Sequence, residues 1–283
     1  MKIGVIIGYH CGVNLADQFQ QARDLGLDGC QLNIWDRSLY TDEQACIVRQ
    51  AAAQTGLEIS ALWAGWSGPA EWNFTGGPAT LGLVPPAYRG IRLQELLAAS
   101  EFAAKIGVSD MITHVGFLPE TPDDPNYNGV VVALRHLASV MKTRGQYFLF
   151  ETGQETPVTL LRAIQDIGTG NLFVNYDTAN LLLYGKANPV DGLKVLGRYV
   201  RALHAKDGFY PTDPHELGQE APIPEGEVDF PAVIASLKAL DFRGSIIIEC
   251  ELSGTENDYI LKTKEYLERL ISEAYGKSAG RGF

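Results

Sequence analysis

Residues Gln146–Asp177 read QYFLFETGQETPVTLLRAIQDIGTGNLFVNYD. Two apolar, aromatic-rich runs, Gln146–Glu151 and Leu172–Asp177, flank Val158–Ile167, where apolar residues recur at helical spacing. Strands apolar on both faces must be covered on both faces, and a helix between them makes a parallel pair. The same unit recurs along the chain. Strand patterns at Lys2–Ile7, Gly29–Asn33, Glu58–Ala64, Asp110–Val115, Tyr199–Lys206 and Ser245–Glu251 alternate with helical ones. Those helical patterns include Asn14–Leu25, a capping box at Thr41 and Gln44, Ile91–Ile106, Val130–Lys142, Val190–Leu196, Phe230–Leu240 and Asp258–Tyr275. Eight such units predict a single (β/α)8 TIM barrel over residues 1–275, with residues 276–283 as a flexible Gly/Ser/Arg-rich tail. The length of 283 residues suits one barrel of roughly 250 residues. A doubly wound open sheet is the competing fold, but no GxGxxG follows the first strand and no P-loop occurs.

Composition narrows the function. With 23 Lys and Arg against 34 Asp and Glu, the formal charge is −11, a field that repels nucleic acid and anionic membrane surfaces. The early apolar run Ile3–Ile7 is too short for a leader or a membrane span. Four scattered cysteines without a CxxC read as reduced thiols, which points to the cytoplasm. The expected partner is therefore a small molecule.

Polar residues gather where the apolar strands give out: His114, Glu151, Asp177, His204 and Glu249. In a parallel barrel those ends form one mouth, and strands five and eight are expected to face each other across it. Three convergent carboxylates repel one another unless a cation neutralises them. Two Glu, one Asp and one His suit a single divalent ion, Mn²⁺ or Mg²⁺ first, with Co²⁺ or Zn²⁺ tolerated. Structural readings stand beside this. Asp177 can cap the segment after it, His204 can be a satisfied core histidine, and Glu155 can answer a helix dipole. Lys206 and Asp207 can form a rim salt bridge or meet substrate oxygens, and His114 can contact substrate or simply pack. Two long loops, about 65–89 and from Asp207 to about Val228, can cover the mouth. The first carries Trp66 and Trp72, with Trp63 at its base, suited either to sugar C–H faces or to packing. Arg89 and Lys206 are the basic candidates near the mouth, and no phosphate cradle is evident.

The segments ETGQE (Glu151–Glu155), NYDTANLLLYG (Asn175–Gly185), HAKDG (His204–Gly208), GEVDFP (Gly226–Pro231) and IIIECE (Ile246–Glu251) resemble the sugar phosphate isomerase/epimerase family of xylose isomerase-like barrels. The resemblance implies that Glu151, Asp177, His204 and Glu249 bind the metal and that Glu151 and Glu249 serve as the acid/base pair. The substrate-binding candidates are His114, Lys206, Trp63, Asn180, Asp207 and Arg89. The implied activity is isomerisation or epimerisation of a sugar-derived hydroxy-ketone through a metal-stabilised cis-enediolate. Dehydration of an inosose or keto-sugar at the same site is the alternative, and a non-catalytic sugar-binding or partner subunit is the reading of another class. Related barrels form dimers or tetramers, so a homo-oligomer is also implied. The chain departs from the ketose 3-epimerase pattern at Asn180, where that branch has histidine, and at Phe209 and Tyr210, near which it has a substrate-binding arginine. The apurinic endonuclease branch binds three metals through additional histidines. Five histidines in all, Trp63 and Ala64 at the end of strand three, and the −11 charge argue against that branch.

Overall fold

A computed structural model describes residues 1–252 and 256–276. Eight parallel strands close into a barrel: β1 (Lys2–Gly8), β2 (Gly29–Ile34), β3 (Glu58–Ala64), β4 (Asp110–Thr113), β5 (Tyr147–Glu151), β6 (Leu172–Asp177), β7 (Val200–Ala205) and β10 (Ser245–Ile248). Between β7 and β10 a two-stranded antiparallel hairpin, β8 (Asp207–Gly208) and β9 (Glu220–Ala221), folds within the second long loop. The helices are α1 (Leu15–Asp24), α2 (Asp42–Thr55), α3 (Gly77–Thr80), α4 (Pro86–Lys105) and α5 (Pro125–Thr143). They continue as α6 (Pro157–Ile167), α7 (Thr178–Leu183), α8 (Pro189–Leu196), α9 (Phe230–Ala239) and α10 (Glu256–Gly276). Residues 277–283, where a tail is expected, lie outside the described residues; Gly276 itself ends α10. No helix among the described residues is long and apolar enough to cross a membrane.

Local chemistry explains most boundaries. Thr41 Oγ1 caps α2 by accepting from the Gln44 amide, as the sequence predicts. Asn14 does not cap α1 through its side chain, because its amide donates to Asp17 Oδ2 instead. Proline in the first turn lets α4 and α5 begin five residues earlier than apolar periodicity suggests, since proline is preorganised there and its missing N–H is not needed. Arg92 and Glu95 are both buried in α4, so its polar face points inward and obscures the pattern. The last barrel strand ends at Ile248, short of the expected Glu251, although the Glu249 amide still donates to the Ala205 carbonyl.

The core has two parts. Ala61, Ile112, Leu149 and Ala202 fill the barrel interior with Trp63. A larger cluster joins the outer faces of the strands to the helices. Small side chains inside the barrel leave room for the one indole, whose N–H then points upward to the mouth. That packing sets the floor of the site.

Candidate metal centre and its cavity

Glu151 ends β5, Asp177 ends β6, His204 is the fifth residue of β7, and Glu249 follows β10 directly. These four strands are consecutive around the barrel, and register places Asp177 beside His204 and His204 beside Ile247. Strands β5 and β10 are thus three steps apart on the ring of eight, not opposite as expected. The two glutamates meet because both reach toward His204. Its Nδ1 lies 2.8 Å from Glu151 Oε1, 2.5 Å from Glu249 Oε2 and 3.6 Å from Asp177 Oδ2. One ligand atom from each of the four residues falls within 4.8 Å of all the others.

Hydrogen bonds support this cluster from the outside, while several atoms at its centre have none. His204 Nε2 lies 2.6 Å from Gln31 Oε1, and Gln31 Nε2 donates to Asn175 Oδ1 at 3.0 Å. With Nε2 as the donor, the Nδ1 lone pair faces the carboxylates. Asp177 Oδ1 accepts the Asn180 amide at 2.7 Å, capping α7, while the other oxygen turns inward. Asp177 Oδ2, His204 Nδ1 and Glu249 Oε2 are buried and lack a hydrogen bond of acceptable direction. These three inward atoms, with a Glu151 carboxylate oxygen within 4.8 Å of them, fit a divalent cation, and the Gln31–His204 contact is the outer support that metal-bound imidazoles usually have. Three hard oxygens and one imidazole nitrogen suit Mg²⁺ or Mn²⁺.

Electrostatics show what the bare cluster costs. Burial raises the Asp177 carboxyl to about 7, and the neighbouring Glu249 charge adds to the rise. Burial alone would lower the His204 imidazole, but the charges of Glu151 and Glu249 outweigh it and lift the pKa well above the ordinary value. Glu249 is half-buried, and although burial alone would raise it, Lys206 and His204 hold it below the usual carboxylate range. Glu151 behaves similarly, with His204 and His114 overcoming burial. Either a proton on His204 or a cation must satisfy these charges.

A cavity of about 310 Å³ opens above the cluster. Its lining includes the expected Glu151, Glu249, His114, Lys206, Trp63 and Asn180. Trp63 Nε1 donates to Glu151 Oε2, and His114 Nε2 stands 3.8 Å from Glu151 Oε1. Burial holds His114 below its ordinary pKa, so it is a neutral ring with Nδ1 unpartnered. Lys206 Nζ lies among Glu249 Oε1 at 3.2 Å, Glu251 Oε1 at 3.3 Å and Glu220 Oε2 at 3.5 Å. Hairpin strand β9 brings in that last carboxylate.

Two expected contacts are elsewhere. Arg89 donates to the carbonyls of Leu83, Val84 and Asn126 and does not line the cavity, so it serves the loop backbone. Asp207 accepts the amides of Gly208, Gly226 and Val228, which organises the second long loop; Lys206 turns away from it toward three glutamates. Glu155 is buried and unpartnered at Oε1, with its pKa pushed up to about 8 by burial, unlike an exposed dipole-capping acid. Trp66 is buried beneath the mouth and does not line the cavity.

Residue-type reasoning missed Gln31, Asn33, Trp35, Gln154 and Tyr184, of which all but Gln31 line the cavity. A glutamine inside the apolar strand GCQLN was the available signal for Gln31, and Trp35 follows the end of that strand directly.

The closed parallel barrel sets a carboxylate–imidazole cluster that could hold a metal at the C-terminal ends of its strands, where α/β barrels carry their sites. The chain belongs to the xylose isomerase-like TIM barrel family, whose sequence profile matches residues 19–270. No curated protein matches it in sequence. Among solved structures it is similar to a xylose isomerase domain protein from Planctomyces limnophilus, with TM-score 0.90 and 29% identity over 97% of this chain and 99% of the other. A 3-keto-D-glucoside 4-epimerase from E. coli in its apo form shares the fold at TM-score 0.71 and 17% identity, covering 95% and 99% of the two chains. A Mycobacterium smegmatis xylose isomerase-like protein, solved with magnesium, follows at TM-score 0.73 and 18% identity over 96% and 97%.

Proposed function

We propose that this chain is a divalent-metal-dependent isomerase or epimerase of a sugar-derived hydroxy-ketone, with Glu151, Asp177, His204 and Glu249 as metal ligands. The observation that carries the reading is the cluster of inward, unpartnered lone pairs at the base of a polar cavity. Neighbours described as a sugar epimerase and as a magnesium complex support the same class. A divalent ion held there supplies Lewis acidity that polarises a carbonyl and acidifies the adjacent C–H.

The chain's own groups divide the remaining work. Glu249, kept ionised beside Lys206, removes the proton from the substrate carbon. Glu151, oriented by the Trp63 N–H, takes up a solvent proton and delivers it from its side of the cavity, while Glu249 releases the abstracted proton to solvent. Return to the opposite face of the same carbon epimerises, and return to the neighbouring carbon isomerises. His114 and Asn180 orient substrate hydroxyls, and the buried Asn33 Oδ1 offers an unused acceptor.

The test is incorporation of solvent deuterium across a panel of ketoses and keto-glycosides, with metal analysis of protein prepared without chelator. One divalent ion per chain, and exchange abolished in Glu249→Gln with the fold intact, are expected. Undiminished exchange in that variant removes the two-base scheme. Elimination of a β-hydroxyl during exchange identifies a dehydratase instead. Sugar binding with neither metal nor exchange supports the non-catalytic reading.

A further inference from the structure

The sequence contains four tryptophans, and the fold brings all of them to one side of the mouth. Trp35 lies 5.3 Å from Trp63 and 5.4 Å from Trp66, and Trp72 lies 6.2 Å from Trp66, ring centre to ring centre. Trp63 and Trp66 are buried, but Trp35 and Trp72 are 42% and 40% exposed while bordering the cavity. Large aromatic surface left in water beside a site needs a reason beyond packing.

The arrangement is held firmly. A Cβ on Gly65 would come within 2.4 Å of the Trp35 ring, so the indole rests against bare glycine backbone. Trp66 is backed by the Arg92 guanidinium at 3.9 Å. Arg92 is itself fully buried and donates to the carbonyls of Ser67, Pro69, Thr80 and Gly82, at 2.6–2.9 Å. The rings are therefore set before any ligand arrives, which lowers the ordering cost of binding.

Volume and charge select the ligand. The cavity of about 310 Å³ equals roughly ten liquid-water volumes of about 30 Å³, room for one sugar ring above the carboxylates. Among the described residues the charged lining groups are Glu151, Glu249, Glu251 and a Lys206 already among three carboxylates, a lining that disfavours a phosphate. We infer that Trp35 and Trp72 form an outer subsite for an uncharged ring linked to the reacting sugar, which makes the substrate a glycoside. This rests on the reading of the cavity as a sugar site.

Calorimetric binding to the Mn²⁺-loaded full chain tests it with D-fructose, lactulose, isomaltulose and D-fructose 6-phosphate. At least one two-ring ketose should bind about tenfold more tightly than D-fructose, and the phosphate more weakly. Trp35→Ala and Trp72→Ala should each bring the two-ring to one-ring ratio toward unity, while Trp35→Phe and Trp72→Phe retain most of it. No preference for either disaccharide, or a ratio unchanged in both alanine variants, overturns the subsite. A preference that persists without metal uptake or deuterium exchange leaves the subsite standing and overturns the catalytic reading instead.

Discussion

The two ends of the barrel hold charges in opposite ways. At the floor, where the strands begin, Arg201 donates to both oxygens of Asp110, at 2.7 and 3.1 Å, and lies 3.9 Å over the Tyr147 ring. Lys2 pairs with Glu58 at the same end. At the mouth, Asp177 Oδ2, His204 Nδ1 and Glu249 Oε2 converge without a hydrogen bond of acceptable direction. The floor also has the larger cavity, about 780 Å³ against 310 Å³. Size therefore does not mark the site. Polar groups left without partners do.

The contrast can be broken most severely at the cluster. Asp177→Asn keeps an oxygen to cap α7 but removes a charged inward one, so it should lower exchange activity about 10³-fold or more. Lewis acidity is worth several kcal/mol, and each 1.4 kcal/mol is tenfold. Metal-free protein should become no less stable in this variant, since a like charge has gone. Marked destabilisation without metal would mean that the aspartate serves the fold.

Arg92→Ala should be the next largest effect, on stability. It strands carbonyls and unpacks Trp66, a loss of roughly 3–5 kcal/mol by urea unfolding, with altered tryptophan emission. A loss below about 1 kcal/mol would show that water replaces the guanidinium.

Glu155 sharpens the comparison through pH. Its folded pKa of about 8 lies above the ordinary 4.5, so the folded chain retains a proton that the unfolded chain releases. Stability associated with this group is full below about pH 4.5 and falls as pH rises toward 8, by on the order of 4 kcal/mol. Lys186, Glu120 and Glu151 are the charges nearest to it. Glu155→Gln should flatten that slope in thermal melts from pH 5 to 8. An identical slope in both proteins would assign it elsewhere.

Smallest of all should be Asp110→Asn at the floor. Asp110 is buried and its pair with the partly exposed Arg201 is bidentate, so the loss should be about 1.5–3 kcal/mol. Unfolding should shift by that amount, with exchange activity unchanged.

What the sequence revealed follows the same division. An acid or histidine that ends an apolar strand is conspicuous because packing gives it no use there, and register then dictates convergence. Glu151, Asp177, His204 and Glu249 were legible for that reason. Gln31 supports His204 from β2, three strands away around the ring, a contact that no local pattern announces. Arg89 and Asp207 sit beside recognisable segments, but backbone carbonyls and amides claim their side chains. Trp35 gained its meaning from Gly65, thirty residues further on, and from a loop clamped by a helix.

That clamp bears on how such a mouth can be transplanted. The shape of the loop from Ser67 to Gly82 is specified by a side chain that lies outside it, on α4. Moving the loop alone into a related barrel would carry the tryptophans but leave their geometry behind. Moving it together with the first turns of α4 would carry both, so the exchangeable unit is longer than the loop itself.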